Sequence, residues 1–299
     1  MDFNISSPGK LLITAEYYVV KGALALAIPT KFRQSLDFKY NASNTLKWKS
    51  FDKKNDVWLN CEFQLSDFKI IKNKNIHSKT LQSILISASK LNPDFLNESA
   101  GGTVSTHLDF CRKWGLGTSS TLIYNISKWA KINPYELLWA NFKGSGYDIA
   151  CASAKGPLLY KLENNIPIVK SVEYNPKYSE NIFFVYLNTK QDSNIEIDKF
   201  FKRKITNSTI NKLSDLTVKF VNSKTLLDFQ NCIKEHENII SKTLEVKSVK
   251  NKYFKDYSGE IKSLGAWGGD FILAAGPTNS RNYFYNKGYK TVFNYKEMF

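Results

Sequence analysis

Three short segments of the chain combine residue types that could hold an anion. The first is Ser7-Pro8-Gly9-Lys10, which runs into Leu11–Ile13 and then Glu16. The second is Trp114-Gly115-Leu116-Gly117-Thr118-Ser119-Ser120. The third is Gly265-Ala266-Trp267-Gly268-Gly269-Asp270. The second has the clearest chemistry. Glycine reaches positive φ and lets the backbone approach a ligand closely. A helix opening straight after it offers unpaired N–H groups and the positive end of its dipole, a ready phosphate site. Ser119 and Ser120 add hydroxyls suited to phosphate or Mg²⁺. The same residues would also make a tight turn with a serine helix cap. Trp114 and Leu116 argue for a half-buried loop over a solvent turn.

Other phosphate-binding patterns are missing from the sequence. There is no G-x-x-x-x-G-K-[ST], and a G-x-G-x-x-G fingerprint would need glycine where Ser120 stands. The H-R-D, D-F-G and A-P-E signatures are absent as well. His77, His107 and His236 are scattered, without metal-ligand spacing. Cys61, Cys111, Cys151 and Cys232 form no C-x-x-C pair and read as reduced, mostly buried thiols.

These segments need a scaffold, and the chain is long enough for one large or two ordinary domains. Hydrophobic residues make up 42% and charged residues 23%, a globular balance. No stretch approaches the roughly 18 uncharged apolar residues of a membrane span. A secretory leader pattern is also lacking, so the expected compartment is the cytoplasm, with no membrane partner. The net charge is +15. Its lysines are spread without a run, so no nucleic-acid partner is expected. A basic surface instead favours anionic small molecules.

Lys10–Ile13 reads as a strand. Tyr17–Val20 and Ala23–Ile28 flank Lys21-Gly22 as a hairpin. Apolar spacing predicts helices over Thr80–Leu91, after Ser120, and along Leu213–Phe220 and Leu226–Ile240. Asn133-Pro134 reads as a helix cap and first position. Leu158–Leu162, Ile182–Leu187, Phe271–Ala275 and Thr291–Tyr295 read as strands, with a helix over Asn279–Asn286. The sum is an α+β chain of two domains, residues 1–172 and 173–299, with the boundary near 165–180.

In this order the segments resemble the motifs of the galactokinase, homoserine kinase, mevalonate kinase and phosphomevalonate kinase superfamily, the GHMP kinases. That family's first motif, P-G-K then apolar residues and G-E-[YH], stands here as PGKLLITAEYYVVKGALAL. Its G-L-G-S-S-A stands as GLGTSST, its S-G-x-D as Gly144-Ser145-Gly146-Tyr147-Asp148, and its G-A-G-G-G-[GD] as GAWGGD. Phosphomevalonate and mevalonate kinases are the most similar in look, and Asn188–Ser193 weakly resembles the T-G-x-x-x-S-T segment of the former.

The resemblance implies a ribosomal protein S5 domain 2-like N-terminal domain and a ferredoxin-like C-terminal domain. It implies an ATP- and Mg²⁺-dependent kinase acting on mevalonate, 5-phosphomevalonate or a similar small acceptor. By that likeness Gly115, Leu116, Gly117, Thr118, Ser119, Ser120, Gly265 and Gly268 would hold the nucleotide, with Ser120 on Mg²⁺. Lys10 would balance charge on the moving phosphoryl group. Asp148 would take the acceptor proton, or lower the pKa of the acceptor hydroxyl by pairing with Lys10. Glu16, Ser145, Gly146, Lys190 and Ser193 would face substrate.

Plainer uses exist for three of these residues. Lys10 could be a strand-end lysine, Asp148 a helix cap and Glu16 a surface carboxylate. The chain also departs from the pattern. Ala15 replaces the glycine before Glu16, and Trp267 replaces a glycine of the third motif. Glu136 lies roughly where mevalonate kinases carry a Mg²⁺-binding glutamate, but out of register. A diphosphomevalonate decarboxylase-like enzyme and a non-catalytic binding protein are the alternatives. Oligomeric state stays open, a homodimer being one option.

Overall fold

The computed structural model describes residues 1–96, 101–189, 200–265 and 269–299. Their contacts gather them into two compact units. One holds Met1–Gly9, Phe32–Arg112 and Gly117–Ser153, and the other Lys10–Lys31, Lys113–Leu116 and Ala154–Phe299. The units interleave along the chain, where a linear reading divides it near residues 165–180. Strands β1 (Phe3–Leu12) and β2 (Ala25–Tyr40) lend residues to both.

In the first unit, β3 (Thr45–Phe51), β4 (Val57–Gln64), β5 (Ile70–Lys72) and the later β6 (Gly102–Leu108) line up with β2 in the order β5-β4-β3-β6-β2. β3 and β6 run parallel, and the other neighbours antiparallel. The period-2 pattern is plain in β3, where Leu46, Trp48 and Ser50 are buried and Lys47 and Lys49 exposed. Helices α1 (Ile76–Leu91), α2 (Thr118–Trp129), α3 (Pro134–Asn141) and α4 (Tyr147–Ser153) complete the unit. Trp48, Phe63, Leu85, Ile123, Ile126 and Leu137 share one buried core. Full burial of such a side chain contributes about 1.5–3 kcal/mol. Asn133 caps α3 by accepting from the Tyr135 N–H, with Pro134 at the first position, as the sequence predicts.

In the second unit, β7 (Leu158–Glu163) and β8 (Ile166–Ser171) form a hairpin. Its two-residue loop, Asn164-Asn165, has both φ angles positive (49° and 62°), as a type I′ turn requires. The first residues of β2 pair with β7. There follow β9 (Ile182–Tyr186), α5 (Asn207–Asn222), α6 (Leu226–Leu244), α7 (Val249–Tyr253), β10 (Glu260–Ser263), β11 (Phe271–Ala275), α8 (Ser280–Asn286), β12 (Val292–Asn294) and α9 (Tyr295–Met298). β10-β11-β9-β12 make an antiparallel sheet. In chain order that is second, third, first, fourth, the ferredoxin-like arrangement that the resemblance implies.

The hairpin expected across Lys21-Gly22 does not form. Tyr18–Lys21 is a single 3-10 turn, closed by Gly22 at φ 84°. Tyr18 and Val19 are both buried, a helical spacing and not an alternating one. Cys61, Cys111, Cys151 and Cys232 form no disulfide. Among the described residues, no helix is long and apolar enough to cross a membrane.

Candidate phosphate-binding site

The two glycines of the GLG segment are both left-handed, with φ 67° at Gly115 and 90° at Gly117. Gly117 is the N-cap of α2 and supplies no side chain to cap it. The first-turn N–H groups of Thr118, Ser119 and Ser120 therefore have no capping side chain, and the positive end of the helix dipole lies at this turn. The Gly117 carbonyl accepts from the Thr121 N–H at 2.9 Å and from the Ser120 hydroxyl at 2.9 Å, which fixes the turn. Ser120 is buried and Ser119 exposed. The body of α2 is anchored by polar contacts in the core of its unit. Asn125 donates to the Gln34 carbonyl at 3.0 Å, and Ser7 donates to Asn125 Oδ1 at 2.5 Å.

Within the second unit, Lys10 meets the start of this loop twice. Its backbone N–H donates to the Leu116 carbonyl at 2.9 Å and its ammonium to the Gly115 carbonyl at 2.9 Å. The charge is thus held at the loop by a strand, not carried on a free tether. Trp114 is buried in an aromatic nest of Phe293, Phe271 and Tyr186, with ring centroids at 5.3, 5.9 and 6.5 Å.

Asp270 ends the third motif in the left-handed region (φ 53°) and is 7% exposed. Its N–H donates to the Thr189 carbonyl at 2.8 Å, and its own carbonyl accepts from Leu187 at 2.9 Å. Its carboxylate packs on the backbone of Gly115, so close that a Cβ there would lie 2.4 Å from Oδ2. Gly265 is left-handed too, at φ 71°. Gly268 and Trp267 lie outside the described residues, as do Lys190 and Ser193.

Within the first unit, Gly144 and Gly146 hold φ 136° and 87° and bring the chain into α4. Ser145 is buried, and Asp148 lies half-buried in the first helical turn. The Tyr135 phenol is pushed up to about 12, by burial first and then by the charge of Asp148. Glu136 is exposed in the first turn of α3, where its Oε1 accepts from the Asn133 side chain at 3.3 Å. Among the described residues no three His, Cys, Asp or Glu side chains converge as a metal site.

Glu16 departs from the surface carboxylate that the sequence leaves open. It is 1% exposed and accepts from the Lys262 ammonium, also fully buried. His236 Nε2 lies 3.3 Å from its other oxygen. The sequence gives Lys262 no role, and it places His236 on the apolar stripe of the Leu226–Ile240 helix without metal-ligand spacing. A lysine on a strand and a histidine on a stripe carry no local sign of being paired.

No protein-family model and no curated protein sequence matches the chain. Solved structures do match over nearly its whole length. The mevalonate kinase of Methanococcus jannaschii superimposes with a TM-score of 0.70 at 17% identity, covering 98% of each chain. The phosphomevalonate kinase of Streptococcus pneumoniae, solved with phosphomevalonate and AMPPNP, gives 0.72 at 13% identity, covering 98% of this chain and 99% of that one. A D-glycero-D-manno-heptose 1-phosphate kinase from Bacteroides thetaiotaomicron gives 0.67 at 12% identity, covering 98% and 95%. The fold is that of the GHMP kinases.

Proposed function

We propose that this chain is an ATP-dependent kinase of a small hydroxylated acceptor, with mevalonate or 5-phosphomevalonate first in line. One observation carries the reading. Two left-handed glycines precede a helix start without a side-chain cap, and a strand-held lysine donates to the carbonyl of the first glycine. Free N–H groups, a helix dipole and an ammonium together favour a polyphosphate over a neutral ligand.

The residues 115–120 would hold the phosphates. Ser120, a hydroxyl in the loop's first helical turn, would be the protein's own ligand to Mg²⁺. With no acidic cluster among the described residues, the remaining ligands would be phosphate oxygens and water, which Mg²⁺ readily keeps. ATP supplies the phosphoryl group. Lys10 stabilises negative charge as that group moves, an electrostatic task that needs a fixed cation and little reorganisation. Asp148 takes the proton from the acceptor hydroxyl, which lets the oxygen attack phosphorus as a better nucleophile. Ser145 and Gly146, in the same loop as Asp148, would line the acceptor.

The test is a coupled ADP-release assay on purified protein with ATP, Mg²⁺ and a panel of acceptors. The panel holds mevalonate, 5-phosphomevalonate, diphosphomevalonate and sugar phosphates. ADP release that needs one of the first two supports the proposal. Carbon dioxide release from diphosphomevalonate would point to a decarboxylase, and no turnover on any acceptor would sink the reading.

A further inference from the structure

The turn that follows the Lys10 strand is built against the preferences of its own residues. Ala15 sits at φ 62° and Tyr17 at φ 65°, ψ −47°, with Glu16 between them. Left-handed alanine is disfavoured because its Cβ crowds the next carbonyl. At Tyr17 the chain makes a γ-turn, the Tyr18 N–H donating to the Glu16 carbonyl at 2.8 Å, and this hand of γ-turn is rare and strained. Such strain persists only where the surroundings over-determine it.

The surroundings here are a buried polar cluster in the same compact unit. The Ala15 N–H donates to His236 Nε2 at 2.9 Å. Nε2 must then carry its lone pair, so the imidazole is neutral with its proton on Nδ1, which faces Glu237 Oε1 at 3.8 Å. Burial holds His236 well below its ordinary pKa, in agreement with the neutral form. Lys262 grips Glu16 Oε1 and also donates to the Ser263 carbonyl at 3.0 Å. Thr14, one residue earlier, accepts from the Leu26 N–H at 2.8 Å and from the Thr217 hydroxyl at 2.8 Å. Ala15, Thr217, His236 and Lys262 are all 0% exposed.

We infer that His236 is a positioning residue for Lys10, with Lys262 and Glu16 as its partners. It holds Ala15 in a conformation that a glycine would adopt freely, and so fixes the exit of the strand whose ammonium sits at the Gly115 carbonyl. Lys10 lies five residues before Ala15, and the Ile13 N–H pins the stretch between them to Leu26 at 2.8 Å. The Lys10 charge also acts on the Glu16 carboxylate, so the turn and the lysine share one local field. This assignment rests on the kinase reading for its catalytic consequence but not for its structural one.

A double-mutant cycle tests both parts. His236→Leu, Ala15→Gly and the double variant are compared with the parent by urea midpoint, kcat and KM for ATP. His236→Leu should lower the midpoint and cut kcat about tenfold with little change in KM, since Lys10 acts on the moving phosphoryl group. In the double variant glycine needs no bond to stay left-handed, so most of the midpoint and kcat should return. His236→Gln, whose amide oxygen can accept from the Ala15 N–H, should keep kcat within about twofold. Equal losses from His236→Leu with and without the Ala15→Gly change would overturn the inference, as would a kcat indifferent to His236→Leu. A double variant that unfolds as readily as His236→Leu alone counts the same way. Coupled midpoints in a protein without turnover would keep the turn role and sink the kinase reading. Additive midpoints in an active kinase would do the reverse.

Discussion

Gly115 is closed to a side chain for two separate reasons. Its φ of 67° costs any L-residue about 1–2 kcal/mol. A Cβ would also lie 2.4 Å from the Asp270 carboxylate, which is itself buried and fixed through its backbone. Gly115→Ala should therefore lose on the order of 2–4 kcal/mol of unfolding free energy in urea, and raise KM for ATP by displacing the cradle. Gly156 serves as the control. It has no positive φ and no atom within 4 Å of an added Cβ. Gly156→Ala should stay within about 0.5 kcal/mol of the parent. Equal losses at the two positions would mean that the Gly115–Asp270 packing is not a constraint. The glycines of this loop were legible in the sequence, because positive φ before a helix is a local need. The carboxylate that presses on Gly115 was not, since nothing within the loop's own residues announces a neighbour 155 positions along the chain.

The same division runs through the elements. The sequence shows where α3 starts, because Asn133-Pro134 is a cap written in adjacent positions. β11 was legible for its run of five buried residues between glycines, and α6 for its apolar stripe. The turn before Val19 reads in sequence as half a hairpin, and it is not one. Its shape comes from Lys262 and His236, which lie 246 and 221 residues from their partners. Helix α6 makes the further point that a buried stripe need not be apolar. It brings His236 and Glu237 against β10, where they meet Lys262, Ser263 and the Glu16 turn. Burial pushes Glu237 up to about 8 and Glu16 up to about 7, against an ordinary 4.5, with Lys262 opposing the shift in both. The sign follows directly. Between pH 4.5 and about 8 the folded chain keeps protons that the unfolded chain has released, so rising pH across that window costs stability. His236 works the other way, because its lowered pKa costs stability as pH falls below 6.5. Glu237→Gln removes one acidic group from the balance. At pH 8.5 it should raise the unfolding free energy by on the order of 1 kcal/mol or more, and at pH 5 it should match the parent. Urea midpoints at the two pH values measure this. A variant weaker than the parent at pH 8.5 would show that Lys262 holds Glu237 as a stabilising charge.

For the whole molecule, the question is whether phosphate binding is a site or a property of the surface. With 42 basic against 27 acidic side chains, the net charge of +15 attracts any polyanion at low salt. Exposed charges are screened over about 10 Å at 0.1 M salt, whereas a partly buried cradle of N–H groups and one strand-held ammonium is screened far less. The two cases separate by linkage. A ligand at 100 times its Kd stabilises the native chain by about 2.7 kcal/mol, which is about 4 °C in Tm for a protein of this size. AMPPNP with Mg²⁺ should give such a shift at 0.05 M salt and retain most of it at 0.3 M. Asp148→Asn should keep the shift, since the proposed base does not hold phosphate, while kcat falls at least a hundredfold. Lys10→Met should lose part of the shift and most of kcat, because its ammonium is bonded to the loop and, in the proposed reaction, also serves the moving phosphoryl group. A shift that disappears between the two salt concentrations would assign the affinity to surface charge. A salt-resistant shift in a protein that turns over no acceptor would instead mark a nucleotide-binding protein on a kinase fold. Only a salt-resistant shift shared by the parent and Asp148→Asn, with turnover confined to the parent, makes the GLG loop the phosphate cradle of a working kinase.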